Sequence, residues 1–103
     1  PKDWKPRTRL AEIRLAIGTA SQTQAAITDW RTAERLLSPG SDDWMIVRLG
    51  TLRALKQAGR AAECRQLLGV TRLLYPEKGT AAVRADLKRL AVSLKPKTDP
   101  SGM

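Results

Sequence analysis

The chain has 103 residues, enough for one domain around a single core. Nineteen lysines and arginines against ten acidic residues leave a net charge of +9, which suits an anionic partner, although the cations are scattered as on a solvated surface. Histidine is absent and Cys64 is the lone cysteine, which excludes an internal disulfide, a Cys/His zinc site and a thiol activated by imidazole.

The longest apolar runs fall far short of the roughly 20 residues that span a bilayer, and no apolar segment follows the charged start PKDWKPRTR as it would in a secretory leader. There is no glycine loop for phosphate and no nucleophile with a base. The expectation is a cytosolic binding protein, not an enzyme, with no cofactor and no metal. Cys64 reads as a small apolar residue on a packed helix face.

Residues 1–6 have no periodicity and read as a flexible arm in which Trp4 is the one candidate anchor. From Arg7 to Thr19 the pattern is helical, with Leu10, Ile13 and Ile17 on one face and Ala11 and Leu15 on its neighbour. Two apolar faces require two things to touch. After Gly18, Ser21 and Gln24 have the spacing of a capping box, so a second helix is expected to start there. It carries Ala26, Trp30, Ala33 and Leu37 at steps of four, three and four, and Ser38-Pro39-Gly40 stops it.

Ser41 is a fitting cap for a third helix. Asp42 and Asp43 then stand in its first turn, where carboxylates favour the positive end of the helix dipole; a catalytic dyad would need a cleft as well. The stretch from Ser41 to Pro76 predicts two helices joined at Gly59, with Leu49, Leu52 and Leu55 on adjoining faces of the first. Ala61, Cys64, Leu68 and Thr71 recur along the second, and Gly69 within it suggests close packing or a kink. Thr80 caps a fifth helix with Val83, Leu87, Leu90 and Leu94 at steps of four, three and four, which Lys95-Pro96 ends. Residues 95–103 have nothing to bury and read as a disordered tail after a single domain over residues 7–94.

The second and fourth helices repeat. Ala26 falls on Cys64, Trp30 on Leu68 and Ala33 on Thr71, each 38 residues on. Small, large, small, followed by a proline, resembles the second helix of a tetratricopeptide repeat. In that register Leu10, Ile13 and Ile17 fall where the first helix of the repeat carries its large apolar residues, and the second repeat departs because the equivalent positions become Arg48, Thr51 and Leu55. The expected fold is all-α, made of antiparallel helical hairpins, tetratricopeptide-like, with two repeats plus a C-terminal capping helix; an unrelated five-helix bundle is the alternative.

A narrower resemblance covers roughly Leu10 to Glu77. The string LAEIRLAIGTASQTQAAITDW, with Leu10-Ala11-Glu12, Gly18 and Asp29-Trp30, is similar to the N-terminal region of the YscG/PscG-type chaperones of type III secretion. Ile46-Val47-Arg48-Leu49, Leu52, Gly59-Arg60 and Tyr75-Pro76-Glu77 resemble the second hairpin of that family. The resemblance implies a small bacterial cytoplasmic chaperone that binds the needle subunit, usually beside a second small helical co-chaperone, and keeps it from polymerising prematurely.

A subunit that self-assembles exposes an amphipathic helix, and a partner can block assembly by taking its apolar face into a groove. In curved, stacked hairpins the first helix of each pair lines the concave side. Ala11, Leu15, Ile46, Leu49 and Arg53 are then expected to face the partner, with Lys56 at the rim, Val83 and Leu87 closing the end, and Trp44 as a surface anchor or a packing residue. The other reading is nucleic-acid binding. Residues 78–90 are similar to the recognition helix of winged-helix repressors, with Arg84, Lys88 and Arg89 meeting phosphates or base edges, although no strand pair follows to form a wing.

Overall fold

The computed structural model describes residues 4–94, which form five helices and, within that range, no strand. They are α1 (Trp4–Ile17), α2 (Ala20–Arg35), α3 (Asp42–Gln57), α4 (Ala61–Leu74) and α5 (Ala81–Ser93). The tail expected over residues 95–103 lies outside the described residues. No described helix is long and apolar enough to cross a membrane.

The middle helix carries the core. From Trp44 to Leu55 only Ile46, Arg48 and Arg53 escape full burial, so α3 is enclosed nearly all round, as a helix apolar on every side must be. It touches each of the other four helices. Its ends are well specified by sequence. The Ser41 hydroxyl accepts from the amide of Trp44 at 3.2 Å, and Asp42 and Asp43 occupy the first turn. At the other end Gly59 turns left-handed (φ +78°), which lets its amide reach the Lys56 carbonyl and the Arg60 amide reach the Leu55 carbonyl, both at 3.0 Å.

The repeated triads both pack inward: Ala26, Trp30 and Ala33 on α2, and Cys64, Leu68 and Thr71 on α4, are all buried. Trp30 lies flat against α3 at Gly50, where an added Cβ would stand 2.5 Å from its ring. Gly69, by contrast, neither packs closely nor relieves a crowded neighbour, since nothing lies within 4 Å of a Cβ built there. The close approach expected at Gly69 occurs at Gly50 instead, because the large member of the α2 triad needs room on the facing helix.

Three boundaries differ from the sequence reading. Helix α1 begins at Trp4, so Trp4, Lys5 and Pro6 belong to it rather than to an arm; Pro6 fits because the first turn of a helix has no amide bonds to lose. The cap of α2 is Thr19, whose hydroxyl accepts from the Gln22 amide at 3.2 Å, while Ser21 lies within the helix. With Gly18 ending α1, the linker is only two residues long and the cap comes earlier. Helix α2 ends at Arg35, and Leu37 packs against the core from the following loop.

Candidate partner-binding surfaces

The rotation of α1 is fixed by polar ties at both sides of its inner face. Arg14 Nη1 donates to Oδ2 of the buried Asp29 at 2.7 Å, with Arg7 3.7 Å from Oδ1, and the Gln57 side chain donates to the Leu15 carbonyl at 2.7 Å. Thr8 and Ala11 are buried as a result, and Leu15 packs against the core. Leu10, Ile13 and Ile17 point the opposite way and are 41, 58 and 57% exposed. The two faces of α1 are exchanged relative to the expected groove: the Ala11 and Leu15 face packs inward, and the larger side chains meet solvent.

Most of the other expected groove residues are core as well. Trp44, Leu49, Val83 and Leu87 are buried, because α3 is covered except along one strip and α5 lays its Val83, Leu87, Leu90 and Leu94 stripe against the common core. Trp44 is a packing residue: its ring lies 5.0 Å from that of Tyr75 and 4.3 Å beneath the Arg48 guanidinium. Ile46, Arg53 and Lys56 do reach the surface. Arg53 pairs with Asp86 at 3.2 Å and Lys56 donates to Ser93 at 3.0 Å, so these two cations tie α3 to α5 across a polar face rather than lining an apolar groove.

On the opposite side a cleft runs between α2 and α4. Leu37, Leu67, Val70 and Leu74 form its apolar walls and Arg48 lies at its floor. Arg48 is held in place by Glu34 on α2 and by Thr71 on α4, whose hydroxyl accepts from Nη1 at 2.7 Å. These residues join three helices through one guanidinium. The sequence reading named Arg48 and Thr71 only as repeat positions and missed Glu34, although Glu34 shares the buried stripe of Ile27 and Trp30, where a carboxylate requires a partner.

The helix proposed for nucleic acid is partly neutralised by its own chain. Arg84 pairs with Glu77 at 3.4 Å and Arg89 pairs with Asp86, which leaves Lys88 as the member of the three with no ion pair among the described residues. Cys64 is buried, its sulfur donates to the Leu52 carbonyl at 3.1 Å, and burial pushes its thiol above the ordinary value of 9.0 against the pull of Lys56 and Arg65. A thiol so placed is a packing group.

Comparison with family models, curated proteins and solved structures gives no match for this chain. The surface itself therefore has to carry the functional reading. The stripe of Leu10, Ile13 and Ile17 is one regular apolar feature, its steps of three and four setting the side chains in a row over two helical turns; Val70, Leu73 and Leu74 on α4 are exposed as well. The signal of the α1 stripe was present in the sequence as the second apolar face of the first helix. What the sequence left open was which face the core would take.

Proposed function

We propose that this chain is a chaperone-like binding protein that covers an amphipathic helix of a partner, with the partner helix lying along the outer face of α1. The observation that carries the reading is the row of Leu10, Ile13 and Ile17 in solvent, opposite a face of α1 that is already packed. Such a row matches the ridge spacing of a second helix. Full burial of a leucine or isoleucine contributes about 1.5–3 kcal/mol, and these side chains keep roughly half of that to be gained on docking. Arg9, exposed beside the stripe, favours a partner with acidic flanks.

The arrangement of helices supports a tetratricopeptide-like stack: each helix touches the next, and α1, α3 and α5 also touch in series. Together with the resemblance to the YscG/PscG-type chaperones, this reading makes the cargo a type III secretion needle subunit in the bacterial cytoplasm, with a second small helical protein as co-chaperone. Blocking the subunit's apolar helix would hold it monomeric until export.

The test is co-expression with a needle-like amphipathic subunit. The reading expects a soluble stoichiometric complex that Ile13→Asp abolishes and Arg53→Ala leaves intact. Copurification that is indifferent to Ile13→Asp would move the site elsewhere, and the absence of any complex would remove the chaperone reading.

A further inference from the structure

A second concave surface has a different chemistry. Between the end of α4, the loop that follows it and the first half of α5 lies a groove of about 320 Å³. Its accessible apolar lining comes from Pro76, Ala81 and Ala85, with Tyr75 half-buried and Met45 and Leu87 buried behind them. Arg72, Lys78, Arg84 and Lys88 surround it, with Glu77 as the one carboxylate among the lining residues. Glu77 is already engaged by Arg84. Four cations are thus gathered around an apolar floor, and in a chain of this fold nothing about packing requires them: Arg72, Lys78 and Lys88 are all exposed.

We propose that this groove binds an acidic, partly apolar peptide segment of a partner protein, its carboxylates meeting Arg72, Lys78 and Lys88 and its apolar side chains covering Pro76, Ala81 and Ala85. Charge complementarity selects the occupant. Like charges gathered this closely repel one another until an opposite charge enters, and the low-dielectric wall behind them strengthens that attraction. A second copy of this chain, at +9, brings the wrong sign. Nucleic acid brings the right sign but suits the floor poorly. Tyr75, the aromatic ring in the lining, is already packed on Trp44 and over Gly40, where a Cβ would be 2.9 Å from it, so no ring is presented for a base to stack on. A phosphate backbone also offers nothing to cover Pro76 and the alanines. The site is separate from the outer face of α1 and does not depend on that face binding anything.

The experiment is fluorescence anisotropy on the whole chain with three labelled probes: a dodecapeptide alternating leucine and glutamate, the same peptide with glutamine for glutamate, and an oligothymidylate of equal length. The proposal expects the glutamate peptide to bind most tightly, to weaken with added salt, and to lose about tenfold in affinity on either Lys88→Glu or Arg72→Glu. Both positions are exposed, so circular dichroism should show the fold unchanged, and Ile13→Asp should leave the affinity as it was. Equal binding of the glutamine peptide would make the surface merely apolar and overturn the proposal. So would tighter binding of the oligothymidylate, or charge reversals without effect. Failure of these arms leaves the α1 reading standing, and loss of the α1 complex leaves this one.

Discussion

Arg48 grips the buried carboxylate of Glu34 through two parallel bonds, Nε to Oε2 and Nη2 to Oε1, each 3.1 Å long. Thr51 donates to the same carboxylate from one turn further along α3. Arg48 and Thr51 are the residues at which the second repeat departs from the apolar pattern of the first. Their departure has a cause: Glu34 enters the core from α2, and polar groups on α3 must meet it.

Removing one side of this pair is expected to be costly because the other side stays buried. Arg48→Met should destabilise the protein by about 3–5 kcal/mol, seen as a lower denaturant midpoint in urea. The double variant Glu34→Leu with Arg48→Met removes both charges, so its cost should be well below the sum of the two single changes. Additive costs would show that the two side chains are not coupled.

Gly50 and Gly69 should respond to alanine with opposite signs. Both lie within helices, where alanine is favoured over glycine by about 1 kcal/mol. At Gly69 the added methyl meets open space, and Gly69→Ala should stabilise by about that amount. At Gly50 it meets the Trp30 ring at 2.5 Å, and the overpacking cost of about 1–3 kcal/mol should exceed the gain. Thermal unfolding of the two variants, compared side by side, decides this; a rise in Tm for Gly50→Ala would mean the α2–α3 contact yields.

The helices themselves were legible because their signals are local. Ser41, Gly59 and Thr80 each do in the structure what their position in the sequence requires, and the triads on α2 and α4 are buried as their spacing implies. The candidate site was not legible for the same reason. Periodicity shows that α1 has two apolar faces but not which one the core takes, and that choice is made by Asp29, fifteen residues from Arg14. Nor does local pattern reveal that α3 is enclosed except along the strip of Ile46, Arg53 and Lys56, which is why Leu49 reads as a surface candidate and Trp44 as either an anchor or a packing residue, where both are core. The α2 cap shows the limit of a motif: the Ser21 and Gln24 spacing is real, yet Thr19 stands two residues earlier and takes the role. Thr19→Ala should therefore cost about 0.5–1 kcal/mol and Ser21→Ala close to nothing, measurable as a difference in denaturant midpoint.

Cys64 should behave as an unreactive thiol. Its folded value lies above 9.0, chiefly from desolvation, so the fold favours the protonated form. That contribution to stability is fully present below about pH 9, the unfolded value, and is lost as pH rises from there through the folded one. Stability measured by denaturant titration should therefore be flat in this respect near neutrality and fall in alkali, with the fall reduced in Cys64→Ala. Alkylation at pH 8 should be slow in the folded protein and fast in urea. Rapid labelling without denaturant would mean that α4 opens from α3.

The exchange of faces on α1 yields the sharpest separation between surface and core. Ile13 is 58% exposed and Leu49 only 4%. Ile13→Asp places a carboxylate in water and gives up only the part of the side chain that is already covered, so it should cost about 1 kcal/mol. Leu49→Asp buries one with no partner and should leave little folded protein. If α1 docks a partner through its outer face, Ile13→Asp and Leu10→Asp should each remove binding while circular dichroism keeps the helical signal and Tm falls by only a few degrees. Loss of the fold together with binding in Ile13→Asp would place that side chain in the core. α1 would then have the rotation expected of a concave stack of hairpins, with Ala11 and Leu15 facing outward.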